Sequence, residues 1–61
     1  MTLLKTFIIE DNLKTIQSFE AFGIENSSFF SIVGKAKSVK EGLKELSFLK
    51  PNLIIVSASQ E

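Results

Sequence analysis

The sequence contains no cysteine and no histidine. Without cysteine there is no disulfide to staple a small fold and no thiolate to hold a metal. Without histidine the commonest metal ligand and the usual general base near neutral pH are both missing. A Ser-His-Asp arrangement is therefore excluded. No phosphate-cradling glycine loop is present either: Gly23, Gly34 and Gly42 stand alone, so neither the dinucleotide nor the P-loop fingerprint occurs. Charge of one sign is also lacking. Seven lysines balance seven acids, and the lysines are scattered along the chain, which argues against a nucleic-acid partner. Apolar runs last only a handful of residues, far short of the roughly 20 that cross a bilayer. Met1-Thr2-Leu3-Leu4-Lys5 does not read as a secretion signal, because no long apolar region follows a positive end. These absences fit a cytoplasmic protein with no membrane contact.

What is present is a compact alternation of strand and helix signals. The 61 residues allow one domain at most, and 44% of them are hydrophobic, which argues against disorder. Phe7-Ile8-Ile9 and Leu53-Ile54-Ile55-Val56 are uniformly apolar and rich in β-branched residues, the signature of strands buried on both faces. Ser31-Ile32-Val33-Gly34, led in by Phe29 and Phe30, is a weaker third strand, and Gly34 marks its end or a close backbone approach.

A first helix is expected over about 12–22, with Leu13, Ile16, Phe19 and Phe22 on one face. Asp11 or Asn12 would cap it, and Gly23 would end it in a left-handed conformation. A second is expected over about 39–49, where Ser38 and Glu41 have capping-box spacing and Val39, Leu43, Leu46 and Leu49 share a stripe. Pro51 stops it. Gly42, inside this helix, marks close packing or simple tolerance. Phe48 lies off the stripe.

Strand, helix, strand, helix, strand at this length gives an α/β fold: a three-stranded parallel βαβαβ sheet with right-handed crossovers in order 2-1-3, the first strand central.

Chemistry-bearing residues are few. Glu10-Asp11 falls at the carboxyl end of the first strand, the edge where open α/β sheets bind ligands. Two adjacent carboxylates there can hold magnesium weakly, or Asp11 can cap the helix while Glu10 is solvated. Ser57 and Ser59, at the end of the third strand, have no base beside them unless Lys14 reaches that edge.

Taken together, these segments resemble the first half of a response-regulator receiver domain. Lys5-Thr6-Phe7-Ile8-Ile9-Glu10-Asp11-Asn12 is similar to the family's opening strand and acidic pair. Phe30-Ser31-Ile32-Val33-Gly34-Lys35-Ala36 resembles its second strand, and Ser38-Val39-Lys40-Glu41-Gly42-Leu43 the start of its second helix. Lys50-Pro51-Asn52-Leu53-Ile54-Ile55-Val56-Ser57 resembles the run that leads to the phosphate-accepting aspartate. The likeness covers nearly the whole chain and implies half of a flavodoxin-like receiver fold, a single truncated receiver-like domain over 1–61. It places Ser57 where the family has its phosphoacceptor aspartate. A hydroxyl has no carboxylate charge to accept phosphate or help hold magnesium, so Ser57 is expected to be inactive as an acceptor and Glu10 and Asp11 to be a vestigial metal site.

The function these readings imply is phosphorylation-independent contact in bacterial two-component signalling, with a second copy or another signalling protein and without enzyme activity. A magnesium-dependent phosphoryl switch on Ser57 and a purely structural assembly unit are the alternatives. Leu53, Ile54, Ile55 and Val56 are the expected contact, because an apolar sheet edge with unpaired backbone groups templates pairing with another chain. A two-fold dimer is the expected assembly.

Overall fold

The computed structural model describes residues 3–56, and the chain forms five elements in the expected order. These are strand β1 (Leu4–Ile9), helix α1 (Leu13–Glu25), strand β2 (Phe30–Ala36), helix α2 (Val39–Leu49) and strand β3 (Leu53–Val56). All strands are parallel, in the order β2-β1-β3. Both neighbours of β1 therefore supply hydrogen bonds, and Thr6, Phe7, Ile8 and Ile9 are the most deeply buried side chains. Their β-branched and aromatic character suits a strand covered on both faces.

The two helices lie on opposite faces of this sheet. On one side, α2 sets Gly42 against Phe7 and Ile9, where an added Cβ would stand 3.1 Å from the Phe7 ring and 3.2 Å from Ile9 Cδ1. Close packing, not mere tolerance, accounts for that glycine. Leu46 and Leu49 complete this core with Ala36. On the other side, α1 lays Gly23 against Phe30 and Ile32, and Lys35 pairs with Glu20.

A bulge in β2 makes this division possible. Thr6 is opposite Ile32 but Phe7 is opposite Gly34, so Val33 is an extra residue. Before the bulge, Phe30 and Ile32 face α1; after it, Gly34 and Ala36 join Phe7 and Ile9 beneath α2. Gly34 is the close backbone approach. A Cβ there would lie 2.7 Å from Leu49 Cδ1 and 2.8 Å from the Phe7 ring. The strand continues past it to Ala36.

The helix ends depart from expectation in one respect. Asn12, not Asp11, caps α1, its side-chain oxygen accepting the Thr15 N–H at 3.2 Å. Gly23 does not end the helix. It keeps a negative φ and α1 runs on to Glu25, where the Asn26 backbone and side-chain N–H groups both donate to the Phe22 carbonyl. Gly23 instead faces Phe30 and Ile32 inside the helix, where an added Cβ would meet them at ordinary contact distances of 3.6 and 3.7 Å. In α2, Ser38 accepts the Glu41 N–H at 3.3 Å, one of the two bonds of a capping box, and Lys50 adopts the left-handed conformation before Pro51.

The Gly34 contact yields a direct test. Gly34→Ala is expected to destabilise the fold by about 1–3 kcal/mol, because the Phe7 ring it would strike is fully buried and cannot retreat. Gly42→Ala should change stability by less than about 1 kcal/mol, since its gain in helix propensity offsets the tight contact. Urea denaturation of the two variants beside the wild type measures both.

Candidate functional site

At the carboxyl edge of the sheet, the sequence places two acids, and the structure treats them differently. Glu10 is buried, and its Oε2 accepts the N–H of Asp11 at 3.1 Å and of Asn12 at 3.0 Å. These are orphan donors at the entry to α1, where a negative group is also favoured by the helix dipole. The Glu10 N–H in turn donates to the Ala36 carbonyl at 2.9 Å. Glu10 therefore ties the end of β1 to the start of α1. Asp11 is exposed. No group of three or more metal-ligating side chains occurs among the described residues.

Beside Glu10 lies an open cavity of about 310 Å³ between the ends of β1 and β2. Two acids, Glu10 and Glu41, line it together with two lysines, Lys35 and Lys37. Lys35 is further engaged by Glu20. Lys14 is exposed on α1. Ser57 and Ser59 lie outside the described residues.

The expected contact strand offers more. Leu53, Ile54 and Val56 are exposed and Ile55 is half-buried. The directions of its backbone groups follow from the ladder. The Leu4 N–H donates to Phe29 and the Glu10 N–H to Ala36, so the even residues of β1 bond toward β2. Its odd residues, Phe7 and Ile9, must then bond toward β3. Phe7 is opposite Ile54 and Ile9 opposite Val56. In a parallel ladder a residue bonds to the two that flank its opposite number, which here are Leu53 and Ile55. Ile54 and Val56 consequently turn their N–H and C=O groups away from β1, to the open edge.

The α1 side of this edge carries a feature absent from the sequence reading. Phe19, Phe22, Phe30 and Ile55 line an apolar groove of about 300 Å³ between α1 and β3. The Phe22 and Phe30 rings meet edge to face, with centroids 5.0 Å apart. Phe19 and Phe22 were visible as a helical stripe, and Ile55 as part of the contact strand. Their meeting joins residues of α1, β2 and β3 that no local pattern connects.

Comparison with known proteins finds no matching family model, no matching curated protein and no matching solved structure.

Glu10→Ala should cost about 1–3 kcal/mol, since it leaves two N–H groups at a buried turn without their acceptor. Glu10→Gln, which keeps an acceptor oxygen, should cost less. Equal losses in thermal or urea unfolding would contradict this acceptor role. In the same preparation, millimolar magnesium should leave the amide NMR signals of residues 10–12 unmoved. Saturable micromolar shifts lost in Asp11→Ala would establish a metal site instead.

Proposed function

We propose that the chain is a phosphorylation-independent, receiver-like module of bacterial two-component signalling that works by protein contact rather than catalysis. Support comes from two directions. The ordered segments quoted above resemble a receiver through the end of its third strand, and they put Ser57 in the acceptor position. A serine there offers no carboxylate for phosphoryl transfer and no second charge for magnesium. The observation that carries the reading is the contrast between the two candidate sites. The Glu10 carboxylate accepts the backbone N–H groups of Asp11 and Asn12, whereas β3 presents an uncharged edge with outward donors and acceptors.

The contact reading locates the module in the cytoplasm, where its partners are other copies of the chain or another signalling protein. Among the described residues no helix is long and apolar enough to cross a membrane. Magnesium has no required part in this activity.

Incubation with acetyl phosphate and magnesium, followed by intact-mass measurement, tests the proposal. The expected result is an unchanged mass. A phosphoryl increment that disappears in Ser57→Ala would replace the contact module with a phosphoryl switch.

A further inference from the structure

Building on that contact reading, we infer that the partner of β3 is a second copy of this chain, paired antiparallel about a two-fold axis perpendicular to the sheet. In this arrangement Ile54 of each copy lies opposite Val56 of the other, and the two Ile55 residues face one another on the axis.

Among the described residues β2 and β3 are the edge strands of the sheet, and only one of them is suited to pairing. The β2 edge is interrupted by the Val33 bulge and carries Lys35, both of which discourage strand addition. The β3 edge has no bulge in its ladder with β1, no charge and no proline within its four residues. Its outward N–H and C=O groups belong to Ile54 and Val56. An antiparallel hydrogen-bonded pair needs two residues that both face outward. Pairing Ile54 with the second copy's Val56 meets this condition at both ends, and the two-fold repeats it, giving four bonds from two residues per chain. The edge is thus complementary to itself.

Side chains support the same register. An axis perpendicular to the sheet keeps the faces aligned, so α1 of each copy stays on one side. Ile55 faces α1, where it lines the groove with Phe19 and Phe22. The two Ile55 side chains would then close the inner ends of two such grooves into one apolar seam. By strand alternation Ile54 and Val56 are on the opposite face, where they are 46% and 51% exposed in the single chain. Each would pack against its cross-strand partner. The balanced charge of the chain adds no net repulsion.

A stable interface takes at least about 600 Å² from each partner, roughly a seventh of the 4458 Å² surface of one chain. A four-residue edge does not supply this alone. The aromatic flank of α1 and the exposed side chains of β3 must contribute, which points to a reversible dimer of modest affinity.

The experiment exploits the outward direction of the Ile54 N–H. Ile54→Pro removes a donor that the ladder to β1 does not use, and it leaves the residue apolar. Sedimentation of the wild type should give twice the chain mass of 6.8 kDa at high concentration. Ile54→Pro should retain the wild-type circular dichroism and self-associate at least about tenfold more weakly, because each dimer loses symmetry-related bonds. A folded wild-type monomer at all concentrations overturns the proposal, as does a dimer unaffected by Ile54→Pro. The first result leaves the contact reading to be decided by the phosphodonor experiment above.

Should Ile54→Pro fail to fold, single-cysteine variants decide the register, since the chain has no other thiol. Ile55→Cys should form an intermolecular disulfide on mild oxidation, because residues in a non-hydrogen-bonded antiparallel pair lie about 4.5 Å apart between Cα atoms. Ile54→Cys should not, its counterpart being offset along the strand by about 7–8 Å. Crosslinking of both, or of neither, overturns the proposed pairing.

Discussion

Everything in this molecule is organised around one strand that must be covered on all sides. β1 receives hydrogen bonds from β2 and β3, and its side chains alternate between the two helices. Phe7 and Ile9 press on Gly42 of α2, and Phe7 also crowds Gly34 of β2, while Ile8 turns to the α1 side. Over Thr6, Phe7, Ile8 and Ile9 such a strand has no solvent face, so the register of each neighbour there is fixed by what its own residues must cover. The Val33 bulge is one result: it lets β2 give Phe30 and Ile32 to one face and Gly34 and Ala36 to the other. Glu10 is another. It closes the strand by capturing the first donors of the turn into α1.

The cost of building around one strand is that the rest of the chain is thinly covered. No residue of α1 is fully buried, and α2 buries only Gly42. Leu13, Ile24, Leu43 and Phe48 remain exposed, Phe48 at 86%. A chain of this size is expected to be marginally stable alone. In the proposed assembly the groove beside β3 and the edge itself gain a partner, whereas Phe48, on the outer side of α2, gains none. Nothing in the single chain explains Phe48.

Much of this was legible in the sequence, for definite reasons. The uniformly apolar runs at 7–9 and 53–56 identified two strands, of which only the first is buried on both faces, since Leu53, Ile54 and Val56 are exposed; the apolar first strand with right-handed crossovers led to the order β2-β1-β3. The Ser38 cap and Pro51 bounded α2 correctly. Elsewhere local signals were overruled by tertiary contacts. Gly23 has the right position for a helix end, yet it lies inside the helix, facing Phe30 and Ile32. The bulge has no local signature, because Val33 is an ordinary strand residue, and the aromatic groove joins residues of α1, β2 and β3 that no local pattern connects. Glu10 read as a candidate ligand because sequence cannot reveal that its carboxylate turns back to the Asp11 and Asn12 amides. The resemblance to a receiver supplied the functional frame, and the geometry of β3 supplies the reason to favour contact within it.

Amide hydrogen exchange at β3, followed as a function of protein concentration, tests the central claim most directly. The N–H of Ile55 bonds to β1 within one chain, so its protection should persist in the dilute monomer. Those of Ile54 and Val56 bond only across the proposed interface, and their protection should rise as concentration drives the chains together. Exchange of Ile54 and Val56 at the unprotected rate at every concentration, with Ile55 still protected, would contradict the account.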